Sequence, residues 1–159
     1  GSWMTRKGVD LLAPIMRELG DQFELHYTGG PAAEKDKYHM PPNMKDIGRL
    51  DGDAEVVRAM QNSDALLFPS RSEGFGLVAA EAIACGVPVI ATRGSSLTEV
   101  ITNYNLGFLC HPNDIASFAK AIESLAKAPL QIPFDYIENH FSLEKNTNSY
   151  IDAYKEILA

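Results

Sequence analysis

Glu73 and Glu81 bracket the stretch Glu73-Gly74-Phe75-Gly76-Leu77-Val78-Ala79-Ala80-Glu81, which follows the apolar run Ala65-Leu66-Leu67-Phe68 and its stop signal Pro69-Ser70. A buried strand, a glycine-bearing turn and a helix entry make an anion site at the carboxyl end of the strands in open α/β sheets. Gly74 and Gly76 admit backbone angles closed to other residues and let a ligand approach closely. The amides of Gly76, Leu77 and Val78 open the helix, so they are donors without intrahelical acceptors at the positive end of its dipole, where a diphosphate is stabilised. Glu81, about one turn into the helix, can accept hydrogen bonds from paired hydroxyls, as an acidic residue does for ribose in dinucleotide sites. Such charge-assisted bonds contribute roughly 1.5–3 kcal/mol each. Glu73, ahead of the helix, faces the other end of the same ligand. A ligand carrying both phosphates and hydroxyls fits an anion site flanked by two acids, and a nucleotide-sugar is such a ligand. The plainer reading of the same spacing is one exposed loop acid and one helix-surface acid.

A second cluster, Arg6-Lys7-Gly8, stands just ahead of the first helical pattern. Cations at a helix N-terminus oppose the dipole, so an anion held between them and the helix end explains them better than the helix does. An exposed Arg-Lys pair in a loop is the bland alternative. Both clusters fall on turns from strand to helix, hence on the same edge of a parallel sheet.

The elements that must position these residues follow from periodicity and punctuation. Apolar residues at Val9, Leu11, Leu12, Ile15, Met16 and Leu19 predict an amphipathic helix from about Lys7 to Leu19, closed by Gly20 and containing Pro14. Phe23 to Tyr27 reads as a strand ending in Thr28-Gly29-Gly30-Pro31, and the polar stretch from Ala32 to Asn43 as an exposed connection. Lys45 to Leu50 is a further strand, and Asp53 an N-cap for a helix running to about Asn62. Ala65 to Phe68 is a buried strand, Leu77 to Ala84 a helix, and Val87 to Ala91 the next strand. Ser96 caps a short helix to about Thr102, Gly107 to Leu109 is a brief strand, and Asn113 caps a helix to about Ala126. A last helix covers Ser142 to Leu158, with Tyr150, Ile151, Tyr154, Ile157 and Leu158 on a face expected to dock on the domain. Strands alternating with helices predict an α/β fold: a Rossmann-like parallel sheet with helices on both faces and a helical C-terminal tail. No internal repeat or long linker divides the chain, so residues 1–159 are expected to form one domain.

Bulk properties narrow the class of partner. A chain of 159 residues supports one core that buries roughly 70% of its unfolded surface. The formal net charge of −7 argues against nucleic acid as the main partner, while leaving room for a nucleotide held by a local cluster of donors. No apolar run reaches the length of a membrane span and no signal-peptide pattern occurs. Cys85 and Cys110 lack metal-ligand spacing and the four histidines are scattered, so no metal site and a reduced, cytoplasmic setting are expected. Cys85 reads as a small core residue at a helix end, and Cys110 as a loop cysteine beside a surface His111. Trp3, Met4 and Met16 read as core or interdomain surface.

The stretch from Ser72 to Thr92, S-E-G-F-G-L-V-A-A-E-A-I-A-C-G-V-P-V-I-A-T, resembles the signature of the retaining glycosyltransferases of family 4, which have the GT-B fold. Other landmarks follow in order: R-K-G-V-D-L-L from Arg6, T-G-G-P from Thr28, D-I-G-R-L from Asp46, A-L-L-F-P-S from Ala65 and F-S-L-E-K from Phe141. The likeness covers nearly the whole chain and corresponds to the C-terminal, donor-binding half of such an enzyme.

The resemblance implies a site for a nucleotide-diphosphate sugar. Lys7 and Arg6 would hold the diphosphate, and Glu73 would meet hydroxyls of the donor sugar beside the amides of Gly74, Phe75 and Gly76. Leu77 and Val78 would give amides to the phosphates and Glu81 would bind the ribose hydroxyls. Gly29 lies in the T-G-G-P turn, and Arg49 and Leu50 fall where the family's third strand ends near the base. The family transfers sugars with retention of configuration, without a bound metal and without a cofactor beyond the donor, by preorganised electrostatics. It also implies a strand ahead of Gly1, and an arginine where Ser2 stands; Gly1-Ser2 read either as native or as a cloning remnant. The expected sheet is therefore interrupted by a gap or a displaced strand, or is completed by a neighbouring chain. An N-terminal acceptor domain of the same enzyme is the implied partner. Membrane contact would come only through that domain, peripherally at the inner membrane. Two other readings stand beside it: half of a GT-B sugar-nucleotide epimerase, which also binds such donors, and a non-catalytic nucleotide-binding module of flavodoxin-like topology, which gives no reason for the paired glutamates.

Overall fold

The computed structural model describes residues 5–29, 38–94, 96–102, 105–133 and 135–158. Ser2, Trp3, Met4 and the turn residues Gly30 and Pro31 lie outside the described residues, as does the connection over residues 32–37. A 3-10 turn, Thr5–Lys7, leads into helix α1, Val9–Leu19, whose apolar stripe Val9, Leu11, Ala13, Ile15, Met16 and Leu19 is buried. Gly20 ends α1 with φ 70, as expected of a residue free to leave the helix. Strand β1, Leu25–Tyr27, pairs in parallel with β2, Met44–Asp46. Buried Asn43 ties this pair to α1, its amide donating to the carbonyls of Met16 at 3.0 Å and Gly20 at 2.9 Å. Helix α2, Asp53–Gln61, leads to β3, Leu66–Phe68, then α3, Leu77–Ala84, and β4, Val89–Thr92. Helix α4, Leu97–Val100, β5, Gly107–Cys110, and α5, Ile115–Lys127, follow. The chain closes with α6, Tyr136–Phe141, and α7, Leu143–Leu158.

Strands β3, β4 and β5 form a parallel sheet in that order, with Leu66 opposite Val89 and Val89 opposite Gly107. Alternation along β4 sends Ile90 to one face and Val89 and Ala91 to the other, the strand period at work. On the Ile90 side lie α1 and α5, through Ile15, Met16, Phe118 and Leu125. On the other side lie α3, α4 and α6, through Ala82, Ile83, Leu97, Val100 and Tyr136. Leu25, Tyr27 and Met44 join the first layer, so β1 and β2 share the core that covers the larger sheet. The fold is α/β, with parallel strands and helices on both faces. Among the described residues no strand bridges β1/β2 to β3, so the parallel strands form two sheets, the interrupted arrangement that the sequence leads one to expect. No described helix is long and apolar enough to cross a membrane.

Several boundaries differ from expectation for local reasons. The strand expected to run to Leu50 stops at Asp46, whose side chain accepts the Gly48 amide at 2.9 Å and turns the chain away. Asp53 is the first residue of α2, the cap position falling to Gly52 at φ 89, so its charge meets the helix dipole from inside the first turn. Asp114 rather than Asn113 caps α5, accepting from the Ser117 amide at 3.1 Å, while Asn113 takes φ 60 in the turn before it. β3 is half-buried, since it is an edge of its sheet among the described residues. Cys110 is the last residue of β5 and is buried, not a loop cysteine. The last helix starts at Leu143, one residue from expectation, and is preceded across extended Ser142 by α6, a short helix the sequence reading did not anticipate. Docking of the final helix is not found: no residue of α7 is buried, and Tyr150, Ile151, Tyr154, Ile157 and Leu158 are exposed.

Candidate functional site

The end of β3, the loop that leads from it into α3 and the entry to α1 converge on one cleft of about 280 Å³. Lys7, Phe68, Glu73, Phe75, Gly76, Leu77 and Val78 line it. Residues 7 and 73, far apart in sequence, meet directly: Lys7 Nζ donates to Glu73 Oε1 at 2.6 Å. Glu73 is the better shielded of the two, its side chain 10% exposed against 30% for Lys7. Lys7 Nζ also stands 5.9 Å from the centre of the Phe68 ring, within cation–π range.

Burial alone would push the Glu73 carboxyl up. Hydrogen bonds from Lys7 and Ser70 and the charges of Lys7 and Arg6 outweigh it and hold the group below its ordinary value of 4.5. The cleft thus holds an ionised carboxylate against an ammonium, an arrangement able to accept hydroxyls at one end and anionic oxygens at the other. Buried Ser70 lies with its hydroxyl 3.4 Å from the carbonyls of Arg6 and Ser72. Ser96, expected to cap α4, makes no side-chain cap; its hydroxyl donates to the Glu73 carbonyl at 3.3 Å and pins the loop from behind.

Two glycines let these segments come together. Gly8 takes φ 71 at the start of α1, and a Cβ there would overlap the Pro69 carbonyl. Gly76 takes φ 88 at the start of α3, where a Cβ would lie 2.6 Å from Leu97 Cδ2. Gly74 does not share this need: its φ is not positive, it is exposed, and it does not line the cleft. The helix start itself opens onto the cleft. The Ala79 and Ala80 amides donate to the Gly76 carbonyl, while Leu77 and Val78, 66% and 41% exposed, precede them with first-turn amides facing no helical acceptor. Phe75 forms the outer wall and meets Phe141 of α6 edge-on, ring centres 5.4 Å apart.

The other sequence candidates lie around this centre. Glu81 is exposed on α3, on the face carrying Leu77 and Val78 by its helical spacing, outside the cleft lining. Arg6 is exposed beside Lys7, with its carbonyl accepting the Arg71 amide at 2.8 Å. Gly29, Arg49 and Leu50 belong to the turns after β1 and β2; Gly29 takes φ 78, and Arg49 pairs with Asp51 at 3.0 Å in full view of solvent. Sequence reasoning missed Phe68, Ser70 and Ser96, and also the pair Asp10–Arg71, 2.7 Å apart. The signal for Phe68 and Ser70 was their place at a strand end; nothing local marked Asp10 or Arg71. Among the described residues no group of three His, Cys, Asp or Glu side chains converges as metal ligands would. Burial pushes the Cys110 thiol up to about 11, and burial followed by the charge of Glu81 raises that of Cys85, so neither is poised as a thiolate.

Comparison with known proteins places this geometry in a family. The chain is 36% identical over 121 residues to an uncharacterized glycosyltransferase of Methanocaldococcus jannaschii, covering 72% of this chain and 34% of that protein. It is 35% identical over 126 residues to the N-acetyl-alpha-D-glucosaminyl L-malate synthase of Bacillus anthracis, covering 76% and 32%. The fold matches that of Anabaena HepE, solved in complex with UDP-glucose, with a TM-score of 0.80 at 17% identity over 98% of this chain and 47% of that one. The chain therefore spans about a third of the length of these curated relatives. Residues 1–142, which contain every side chain lining the cleft, match the family described as Glycosyl transferases group 1, and the chain belongs to that family.

Proposed function

We propose that this chain is the donor-binding half of a retaining glycosyltransferase of family 4, holding a nucleotide-diphosphate sugar for transfer to an acceptor bound by an N-terminal domain of the same protein. The observation that carries this reading is the Lys7–Glu73 pair at the mouth of α3, an ammonium and a carboxylate 2.6 Å apart beside free first-turn amides. Family membership supports a transferase, and the UDP-glucose held by HepE supports a nucleotide-sugar as ligand. In this reading the diphosphate lies against Lys7, Arg6 and the amides of Leu77 and Val78, while Glu73 accepts from sugar hydroxyls. Glu81, on the same helix face as Leu77 and Val78, takes the ribose hydroxyls. Gly29, Arg49 and Leu50 stand toward the base.

The chemistry asked of this half is electrostatic. As the bond from sugar to diphosphate breaks, negative charge grows on the departing oxygen. Lys7, Arg6 and the positive end of α3 stabilise that charge without reorganising, the usual source of the largest catalytic contribution. In this reading the donor-binding half uses no metal or further cofactor. Acceptor recognition belongs to the other domain, so the chain alone binds donor and transfers little sugar. Calorimetric titration with UDP, GDP and ADP, with and without the sugar attached, tests the reading. At least one is expected to bind, and Glu81→Ala is expected to weaken it roughly tenfold or more, the loss of charge-assisted bonds to paired hydroxyls. No binding at millimolar concentration, or a Glu81→Ala variant indistinguishable from the parent, would sink the donor site. Efficient sugar transfer by the chain alone would sink the division of labour.

A further inference from the structure

Arg71 ties three turns of the carboxyl edge together. Its guanidinium donates to both carboxylate oxygens of Asp10, at 2.7 and 2.8 Å, in the first turn of α1. Nε donates to Asn113 Oδ1 at 2.8 Å in the turn before α5, and Nη1 also donates to the Thr5 carbonyl. The backbone amide of Arg71 donates to the Arg6 carbonyl at 2.8 Å. A planar guanidinium with its fixed fork of donors suits such a fan of acceptors, and a lysine does not. None of these partners lines the cleft, yet they flank the residues that do: Thr5, Arg6 and Asp10 lie on either side of Lys7, and Arg71 just ahead of Glu73.

We infer that Arg71 is a positioning residue, which locks the Thr5–Lys7 turn and the first turn of α1 onto the loop after β3 and so fixes Lys7 against Glu73. The ligand this geometry serves rests on the donor-site reading above; the clamp itself rests on the contacts. Lys7 rides on a short 3-10 turn that has no buried residue, so packing alone does not set its place. Gly8 against Pro69 sets how close the two segments come, and Arg71 sets their angle and register. Arg71 and Asp10 are 27% and 33% exposed and lie outside both core clusters, so the clamp can be removed from a folded domain.

The test follows Arg71→Met, Arg71→Lys and Asp10→Asn by carbon-13 NMR titration of the Glu73 carboxyl, by calorimetry with UDP, and by thermal unfolding. In Arg71→Met the Glu73 midpoint is expected to move up, because Lys7 no longer stands against a carboxyl that burial already disfavours. UDP binding weakens roughly tenfold in the same variant, the scale of one misplaced charge-assisted contact. Asp10→Asn reproduces both changes in smaller measure. Arg71→Lys keeps the charge and thermal midpoint near the parent's but still shows the Glu73 shift, since an ammonium cannot make the fan. A Glu73 midpoint unchanged in Arg71→Met and Asp10→Asn overturns the inference, as does a shift that merely follows lost thermal stability. Should Arg71→Met not fold, the Glu73 midpoint in Asp10→Asn and Arg71→Lys decides: a rise upholds the clamp and no change overturns it. If the parent binds GDP or ADP in place of UDP, that nucleotide is the probe; if it binds none of the three, the donor reading fails and the Glu73 titration alone decides the clamp.

Discussion

The carboxyl edge of this molecule is built on two sheets, and the two are held in very different ways. On the three-stranded sheet the turns interlock: Gly8 packs on the Pro69 carbonyl, Ser96 pins the Glu73 carbonyl, Gly76 packs on Leu97, and Lys7 reaches Glu73 at 2.6 Å. On the two-stranded sheet the turn after β2 is open. Gly48 has nothing within 4 Å of where a Cβ would be, and Arg49 and Asp51 pair with side chains 89% and 78% exposed. Both turns follow the carboxyl ends of parallel strands, so strand direction does not explain the difference. Packed neighbours do: the loop after β3 is held by Gly8 against Pro69, by Leu97 beside Gly76 and by the Ser96 hydroxyl, whereas Arg49 sits in an exposed loop ahead of α2. An edge fixed by buried contacts can offer preorganised charges to a diphosphate and sugar. The open edge, where the base is proposed to lie, can adapt to its ligand.

The hardest blow to this contrast should come from Gly8→Ala. Its φ of 71 and the Pro69 carbonyl leave no room for a methyl group, so about 3 kcal/mol or more of stability should be lost in denaturant unfolding. The same change at Gly48, φ 76 but open, should cost only about 1 kcal/mol, from the backbone angle alone. Equal losses at the two glycines would erase the distinction between a locked and an open edge.

Next in size is Lys7→Met, which leaves Glu73 shielded without its partner. A loss of about 1–2 kcal/mol is expected, discounted for the partial exposure of Lys7. Acid titration sharpens the point. Glu73 and Asp10 are both held below their ordinary values of 4.5 and 3.8, by Lys7 and Ser70 against burial in one case and foremost by Arg71 in the other. The unfolded chain therefore binds more protons than the native one between the ordinary and the lowered values. Their contribution is complete above pH 4.5 and is lost as pH falls through the lowered folded values. Stability measured against pH should decline more steeply below 4.5 in the parent than in Lys7→Met. Parallel curves would mean that the pair does not govern Glu73.

The smallest effect belongs to the open edge. Arg49→Ala should leave the unfolding free energy unchanged within measurement and alter UDP affinity by no more than about fivefold, as for an exposed ion pair. A larger loss of affinity would show that this edge, too, is preorganised.

Most of the element order was legible because periodicity reports burial. The stripe on α1 and the helix over Leu77–Ala84 stand where the sequence placed them. Ends were less legible because they depend on single side-chain bonds, such as Asp46 closing on Gly48 or Asp114 capping α5. The apolar face of α7 misled for the opposite reason. A helical stripe states that a face can be buried, not against what, and here Tyr150, Tyr154 and Ile157 remain exposed.

By itself the sequence determined the chemistry on offer: glycines that open α3, a carboxylate on each side of them, and cations ahead of α1. Those follow from residue type and near-neighbour spacing, which the chain carries locally. Only the tertiary structure decided that Lys7 meets Glu73, that Ser96 serves the loop rather than its own helix, and that Arg71 spans Asp10, Asn113 and the Thr5 carbonyl. Each of these joins segments distant in the chain. Their distances are set by how α1 packs against the β3 turn, and no local pattern encodes that packing.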